Sequence, residues 1–536
     1  MAISTENDLW IALIKIEIST RLKAIIILVF ACITPFFAWG DEQVIVDAAA
    51  SHHSFPHYWE QMFGSGRAIL TLRDSYRRDL RLVKGATDLK FVRFHAILHD
   101  EVGVYDEDKH GKAVYNFSYV DQIYDGLLEN GVRPFVELSF MPRKLASRQA
   151  VHSFKYHPIV APPRDYAKWD ALIAAFAAHV IERYGIDEVA QWYFEVWNEP
   201  NLDFWAGTPS QATYFALYDH TARALKQVDA RLRVGGPSTA QAAWIGALIR
   251  HTTEMQVPLD FVSTHVYAND TAKDVFATRE AIPRTEMVCR AAKKVRDEVT
   301  SSRRPDLPII WSEYNATYFN DPKITDALFM GPWLADTVRR CDGLADMMSY
   351  WTFSDVFEEQ GVVRRPFYGG FGLIAAGGIP KPAFNAFKML HQLGDERLDV
   401  DSDHVLATRR KDGSLVIALW NYVSPGQKNA LPITIVLGLP HEARAARVVK
   451  LDADHGDAGG AYARMGSPQY PTRSQLDELI KASALTAPED LAIMNDRVSV
   501  TLPPNGLATL EVPMAGPRAG GGAGRGGKRG KHESNE

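Results

Sequence analysis

Cysteine is scarce in this chain, with three in 536 residues, at Cys32, Cys289 and Cys341. So few exclude a disulfide framework, and no Cys/His cluster has metal-ligand spacing, so neither a catalytic metal nor a cofactor is expected. Once a leader carrying Cys32 is removed, Cys289 and Cys341 remain, and two buried free thiols are the expectation. An excess of one charge is missing too. Lysine and arginine number 59 against 65 aspartate and glutamate, a net charge of −6. That leaves no electrostatic case for a nucleic-acid partner. A phosphate loop is also absent: Gly369-Gly370-Phe371-Gly372 is followed by no Lys-Ser/Thr pair. Long hydrophobic runs are confined to the N-terminus. Ala24 to Ile33, mostly apolar onward to Trp39, follows Arg21 and Lys23 and is short for a membrane span. A basic flank before a short apolar run reads as a secretory signal. Residues 1–40 are thus expected to be a signal peptide or N-terminal extension, with a retained anchor as the alternative. The processed protein is expected to be exported, periplasmic or secreted, without a stable membrane span.

What is present is a globular composition, 46% hydrophobic and 23% charged, in a chain too long for one ordinary domain. Strand and helix patterns alternate from 50 to 395, which argues for a parallel sheet with helices on its faces. Expected strands are Phe91–Ile97, Arg133–Ser139, Ala190–Trp197, Leu232–Gly235, Phe261–His265, Pro308–Ser312 and Met347–Thr352. A first strand near His53–Phe55 would make eight, the number of a (β/α)8 barrel. Amphipathic stretches such as Tyr166–Tyr184 lie between them. From 400 to 515 the texture changes to short β-like runs separated by turn signals, which reads as a β-sandwich, with 42–49 expected to add a strand. A helix is expected at Gln475–Ala482. Residues 516–536, rich in glycine and basic residues, read as a disordered tail.

Two places in the barrel carry chemistry. Phe194-Glu195-Val196-Trp197-Asn198-Glu199-Pro200-Asn201 is an aromatic and aliphatic run that stops at Asn-Glu-Pro, because Pro200 lacks the N–H a central strand needs. Ile309-Ile310-Trp311-Ser312-Glu313-Tyr314-Asn315 is a second apolar run carrying a Glu. Barrel enzymes place their chemistry at the C-terminal ends of strands. Counted from the first strand, Glu199 follows the fourth and Glu313 the seventh. Glycoside hydrolysis uses two carboxylates with separate tasks. An apolar, aromatic setting disfavours the charged form of Glu199 and suits it to act as general acid and then base. Glu313 is the nucleophile candidate, and Arg93 on the second strand is a candidate to hold its charge.

Several segments, in order, resemble glycoside hydrolase family 39, whose members are (β/α)8 retaining glycosidases. They are Val92-Arg93-Phe94-His95, Pro134 to Pro142, Tyr193 to Asn201, Ser263-Thr264-His265-Val266-Tyr267, Trp311 to Asn315, Tyr350 to Glu359 and Phe367 to Leu373. The Tyr350 to Glu359 block is closest to the β-xylosidase branch. The resemblance implies a covalent glycosyl-enzyme, with the two carboxyl groups about 5–5.5 Å apart. It also implies that Asn198 bonds the sugar 2-hydroxyl, that His95, His265 and Tyr267 line the glycone subsite, that Trp351 is a sugar platform, and that Glu358 and Glu359 accept sugar hydroxyls. The function implied is release of terminal β-D-xylose from xylo-oligosaccharides. The alternatives are another retaining glycosidase of the α-L-iduronidase or β-glucosidase type, for which Arg364 and Arg365 are the candidate cations toward a uronic acid, and a non-catalytic carbohydrate-binding protein. Family relatives are often oligomeric, which makes a homo-oligomer an expectation as well.

Overall fold

The computed structural model describes residues 41–514. The expected leader and the Gly-rich tail lie outside the described residues. Eight parallel strands close into a barrel. In chain order these are β1 (Met62–Gly64), β2 (Phe91–Phe94), β3 (Arg133–Leu138), β4 (Tyr193–Val196), β5 (Arg233–Thr239), β6 (Phe261–Tyr267), β7 (Ile309–Asn315) and β8 (Met347–Tyr350). Strands covered on both faces can be apolar throughout, and β6 and β7 are buried along all their length.

Position along each strand decides what the barrel interior contains. At the bottom, Met62, Phe135, Phe261, Ile310 and Met347 form an apolar plug, with Phe91 and Tyr193 packed against it. Side chains two residues apart share a face of a strand. The next inward layer is therefore Gly64, Arg93, Glu137, Glu195, Ser263, Ser312 and Ser349. A hydrophobic floor thus carries a polar, charged layer directly below the catalytic end of the barrel.

Three expectations are corrected. His52–Ser54 is not the first barrel strand. It is exposed along its length and pairs with Glu396–Leu398 in another sheet, whereas the fully buried Met62–Gly64 closes the barrel. The β-prone run before β4 does not extend back to Ala190. Ile186–Val189 forms a short helix after Gly185, whose φ is 78°, and Trp192 donates to Glu188 Oε1 at 3.0 Å. The cysteines are not free thiols: Cys289, on helix Arg284–Thr300, is bonded to Cys341, which follows helix Met330–Arg340. These are successive outer helices of the barrel, and consecutive elements lie side by side. Their closeness is therefore a property of the closed ring that spacing along the chain does not reveal. A cross-link spanning 52 residues contributes up to about 4 kcal/mol by loop-closure entropy. The C289S/C341S variant is therefore expected to melt several degrees lower, by calorimetry, with or without reductant. Wild type is expected to fall to the same value only in reductant.

Seven strands, His52–Ser54, Glu396–Leu398, Val405–Arg409, Leu415–Trp420, Leu507–Val512, Ala446–Leu451 and Glu489–Leu491, form one sheet. Three more, Asp41–Ile45, Ile433–Gly438 and Arg497–Leu502, form a second. Val405, Ile417 and Leu510 of the first meet Ile435, Val498 and Val500 of the second in one core, which is a β-sandwich. The region before Arg497 holds two helices, Ala458–Arg464 and Arg473–Ala482. Thr472 and Gln475 close the second with a capping box.

Candidate active site

The centre of the site is Arg93, fully buried on β2. Its Nε donates to Glu195 Oε2 at 2.6 Å and its Nη1 to Glu313 Oε1 at 2.7 Å. Its Nη2 lies 2.7 Å from Glu137 Oε2 and also donates to Asn198 Oδ1 at 3.0 Å. A guanidinium presents its donors in a rigid fork, so four strands are indexed to one another by a single side chain. Burial opposes the charge on Arg93, but Glu137, Glu195 and Glu313 together hold it firmly protonated.

His95, two residues on, faces the same way. Burial disfavours its charged form, but Glu137 Oε2, 2.7 Å from its Nδ1, outweighs that and raises its pKa to about 9. At neutral pH it is an imidazolium whose Nε2 lies 3.6 Å from Glu359 Oε1 and 3.8 Å from Glu313 Oε1. Glu359 is itself nearly buried, and desolvation pushes its carboxyl up to about 8. In the protonated form it offers a sugar both a donor and an acceptor.

Glu313 is gripped from two sides. Tyr267 Oη donates to Oε2 at 2.6 Å while Arg93 holds Oε1. Glu199 lies across the cavity at the end of β4, where the chain leaves extended geometry: Trp197 has φ 72° and Glu199 φ 42°. Such left-handed backbone is costly for residues with a Cβ and persists only where surroundings impose it. Here the Trp197 indole donates to the Phe204 carbonyl at 2.7 Å, and the Glu199 amide donates to the Ser238 carbonyl at 2.8 Å. Desolvation raises the Glu199 carboxyl to about 7. His265 Nδ1 sits 3.0 Å from Glu199 Oε1, and its Nε2 sits 3.1 Å from Ser312 Oγ. Burial lowers the pKa of His265 to about 4, so the ring is neutral. It carries one proton that can lie toward Ser312 when Glu199 is protonated and toward Glu199 when it is not.

One carboxylate oxygen of Glu199 and one of Glu313 lie within 4.8 Å of each other, with His265 as the third member of the group. A cation could be shared among these three, as it could among His57, Glu60 and His391. In both groups the oxygens already have hydrogen-bonding partners: Arg93 and Tyr267 for Glu313 and His265 for Glu199 in the first, and the two imidazoles in the second.

The remaining expected residues divide. Asn198 is buried with its oxygen taken by Arg93, which leaves its amide N–H groups as donors. Trp351 closes one wall, with its ring 4.9 Å from that of His95 and 5.9 Å from that of Phe357. It can lie there because β1 has Gly64 below it; a Cβ at that position would overlap the indole. The G64A variant is expected to displace Trp351 and lower kcat/KM about 10²-fold. Steady-state kinetics and tryptophan fluorescence check this. Glu358 departs from the expectation that it accepts sugar hydroxyls. Both its oxygens are bonded by Arg73, at 2.5 and 3.0 Å, and Arg67 lies 3.8 Å away. Of the two, Glu359 is the one that lies beside His95, at 3.6 Å.

Glu137 and Glu195 were missed as site residues. Each is the one acid in its strand, in phase with an inward-pointing aromatic two residues earlier, and that phase is a legible signal. Ser238 and Ser312 carried no such signal.

The model of glycosyl hydrolases family 39 matches residues 42–495. This chain belongs to that family. Its members most like it include a β-xylosidase of Geobacillus stearothermophilus, 38% identical over 473 residues, covering 85% of this chain and 93% of that protein. A β-xylosidase of Caldicellulosiruptor saccharolyticus is 37% identical over 441 residues, covering 80% of this chain and 88% of that protein. Among solved structures, a monomeric β-xylosidase from Caulobacter crescentus CB15 superposes with a TM-score of 0.80 at 32% identity, covering 89% of this chain and all of that one. The barrel, the sandwich and the family membership agree, and the protein is a glycoside hydrolase.

Proposed function

We propose that this family 39 enzyme is an exo-acting β-xylosidase that works with retention of configuration, and that Glu199 and Glu313 perform the two displacements. The observation that carries the reading is the opposed pair: a carboxyl raised to about 7 and a carboxylate held by Arg93 and Tyr267, with oxygens within 4.8 Å. That closeness suits direct attack rather than an intervening water. In the first step Glu313 attacks the anomeric carbon while Glu199 gives its proton to the glycosidic oxygen. The C–O bond to the leaving chain breaks and an ester to Glu313 forms. In the second step Glu199 takes a proton from water, the water oxygen attacks the same carbon, and the ester bond breaks. Xylose leaves as the β-anomer and both carboxyl groups return to their starting states. Asn198, whose oxygen is held by Arg93 and whose amide N–H groups remain as donors, is the residue we assign to the 2-hydroxyl, a contact that strengthens at the transition state.

Proton NMR during hydrolysis of a nitrophenyl β-xyloside tests the reading. The β-anomer of xylose is expected to form first. Initial α-xylose would overturn the double displacement, and cleavage of the glucoside or iduronide in place of the xyloside would overturn the glycone. The iduronidase alternative loses its cations, because Arg364 and Arg365 line a cavity whose walls include neither carboxylate.

Export is proposed on the leader pattern. A Cys289–Cys341 bond supports it, since disulfides persist in oxidising compartments. Cell fractionation with mass analysis of the mature N-terminus checks it, and a full-length cytoplasmic protein would refute it.

A further inference from the structure

The glycine motif Gly369-Gly370-Phe371-Gly372 is gripped through its backbone by one buried ion cluster. Lys381, fully buried just ahead of helix Pro382–Leu390, donates from Nζ to the Gly370 carbonyl at 2.9 Å. The same Nζ lies 2.7 Å from Asp326 Oδ1 and 2.7 Å from Asp355 Oδ2. The other oxygen of each acid reaches the loop as well: Asp326 Oδ2 accepts the Gly369 N–H and Asp355 Oδ1 the Gly372 N–H, each at 2.7 Å. Burial opposes the charge on Lys381, but Asp326 and Asp355 outweigh it and keep the ammonium protonated. The glycines permit so close a grip, since a Cβ at Gly370 or Gly372 would overlap Asp355. Withdrawing charge from water costs stability, and what it provides here is a fixed backbone on both sides of one residue, Phe371.

Phe371 backs the wall of the glycone pocket. Its carbonyl accepts the Thr352 N–H at 3.1 Å, and the Leu373 N–H donates to the Thr352 carbonyl at 3.0 Å. The loop therefore runs against the residue that follows Trp351. The Phe371 ring meets Phe357 edge-on at 5.6 Å, and Phe357 meets Trp351 edge-on at 5.9 Å. Tyr267, which holds Glu313, belongs to the same cluster. Asp355 follows Trp351 along the chain, so the ions tie the segment that carries the wall to the loop that supports it. The second domain seats the entry to this loop: Phe367 packs with Ala458, Tyr462 and Leu479 of the two inserted helices, its ring 5.1 Å from that of Tyr462.

We propose that Lys381, Asp326 and Asp355 are positioning residues for the reaction, which act through Phe371 to set the Trp351 wall against the sugar. The inference rests on the β-xylosidase reading for the sugar that this wall holds.

Either aspartate can be shortened without leaving a charge unpaired, because Lys381 keeps the other. D355A and F371A are each expected to lower kcat/KM on nitrophenyl β-xyloside by about 10- to 10²-fold, at a temperature where circular dichroism shows both folded, and to raise the inhibition constant of xylose with it. The double variant D355A/F371A is expected to lose no more than F371A alone, because residues that act through one another are not additive. D326A, which frees Gly369 from the other side, is expected to behave as D355A does. D355N and D326N take their places if the alanine variants do not fold. A purely structural role predicts lower melting temperatures with unchanged kinetic constants, and that result would overturn the proposal, as would losses that multiply in D355A/F371A. If the wild type leaves the xyloside intact, it is the β-xylosidase reading that fails, and the same variants are compared on the glycoside it does cleave.

Discussion

The E313A variant is expected to lose roughly 10⁴-fold or more in kcat on nitrophenyl β-xyloside, with substrate still bound. The size follows from what the side chain supplies. Without it no covalent ester can form, and a water admitted to the space would have to attack from a position where no base is set to accept its proton. Removing Glu313 also leaves Arg93 Nη1 and Tyr267 Oη unpaired in a buried site, which costs stability. The E313Q variant keeps an acceptor oxygen and separates the two effects. It is expected to fold like wild type, to bind xylose-based ligands, and to be as inactive as E313A. Arg93 retains Glu137 and Glu195 in either variant, so its charge stays compensated and the barrel interior has no reason to open. Turnover by E313Q near the wild-type rate would remove Glu313 from the nucleophile's role.

Glu199→Ala is expected to give the second-largest effect, and one that depends on the leaving group. General acid catalysis contributes about 10²–10⁴-fold. Loss of the proton donor should cost that much on xylobiose, whose leaving alkoxide needs protonation, and far less in the first step on a nitrophenyl xyloside. With the activated substrate the second step then becomes slow, because no base deprotonates water. Azide needs no deprotonation and fits the space vacated, so it should restore turnover and yield β-xylosyl azide. The pH profile gives an independent check. The competent form of Glu199 is the protonated one, present below its pKa of about 7, so kcat/KM of the wild type should fall as pH rises through about 7. That limb should vanish in E199A. A limb that survives unchanged would assign it to another group.

How far the sequence could be read depended on the range of the forces involved. The strand ends at Asn198-Glu199-Pro200 and Ser312-Glu313 were legible because strand propensity, the missing proline N–H and aromatic flanks are local. Their position after the fourth and seventh strands was legible because alternating strand and helix patterns can be counted. The count came out right although the first strand was placed at His53–Phe55 instead of Met62–Gly64. Three exposed residues at His52–Ser54 looked as strand-like as three buried ones, since so short a run has no measurable period. The disulfide was read as two thiols for a related reason: two cysteines 52 positions apart meet only when the ring of helices closes.

What the sequence by itself determined is the inventory and its order along the chain, a barrel followed by a sandwich and two carboxylates at strand ends. What only the tertiary structure decided is which charges meet. Arg93 joins Glu137, Glu195 and Glu313 across the barrel axis, Tyr267 turns Glu313 toward the cavity, and Glu358 is drawn off by Arg73 while its neighbour Glu359 stays. Strand composition is set by contacts within a few residues. Protonation and pairing are set by burial and by charges a few ångströms apart in space, and closing the eight strands brings together groups 220 positions apart in the chain, as for Arg93 and Glu313, and 285 apart, as for Arg73 and Glu358.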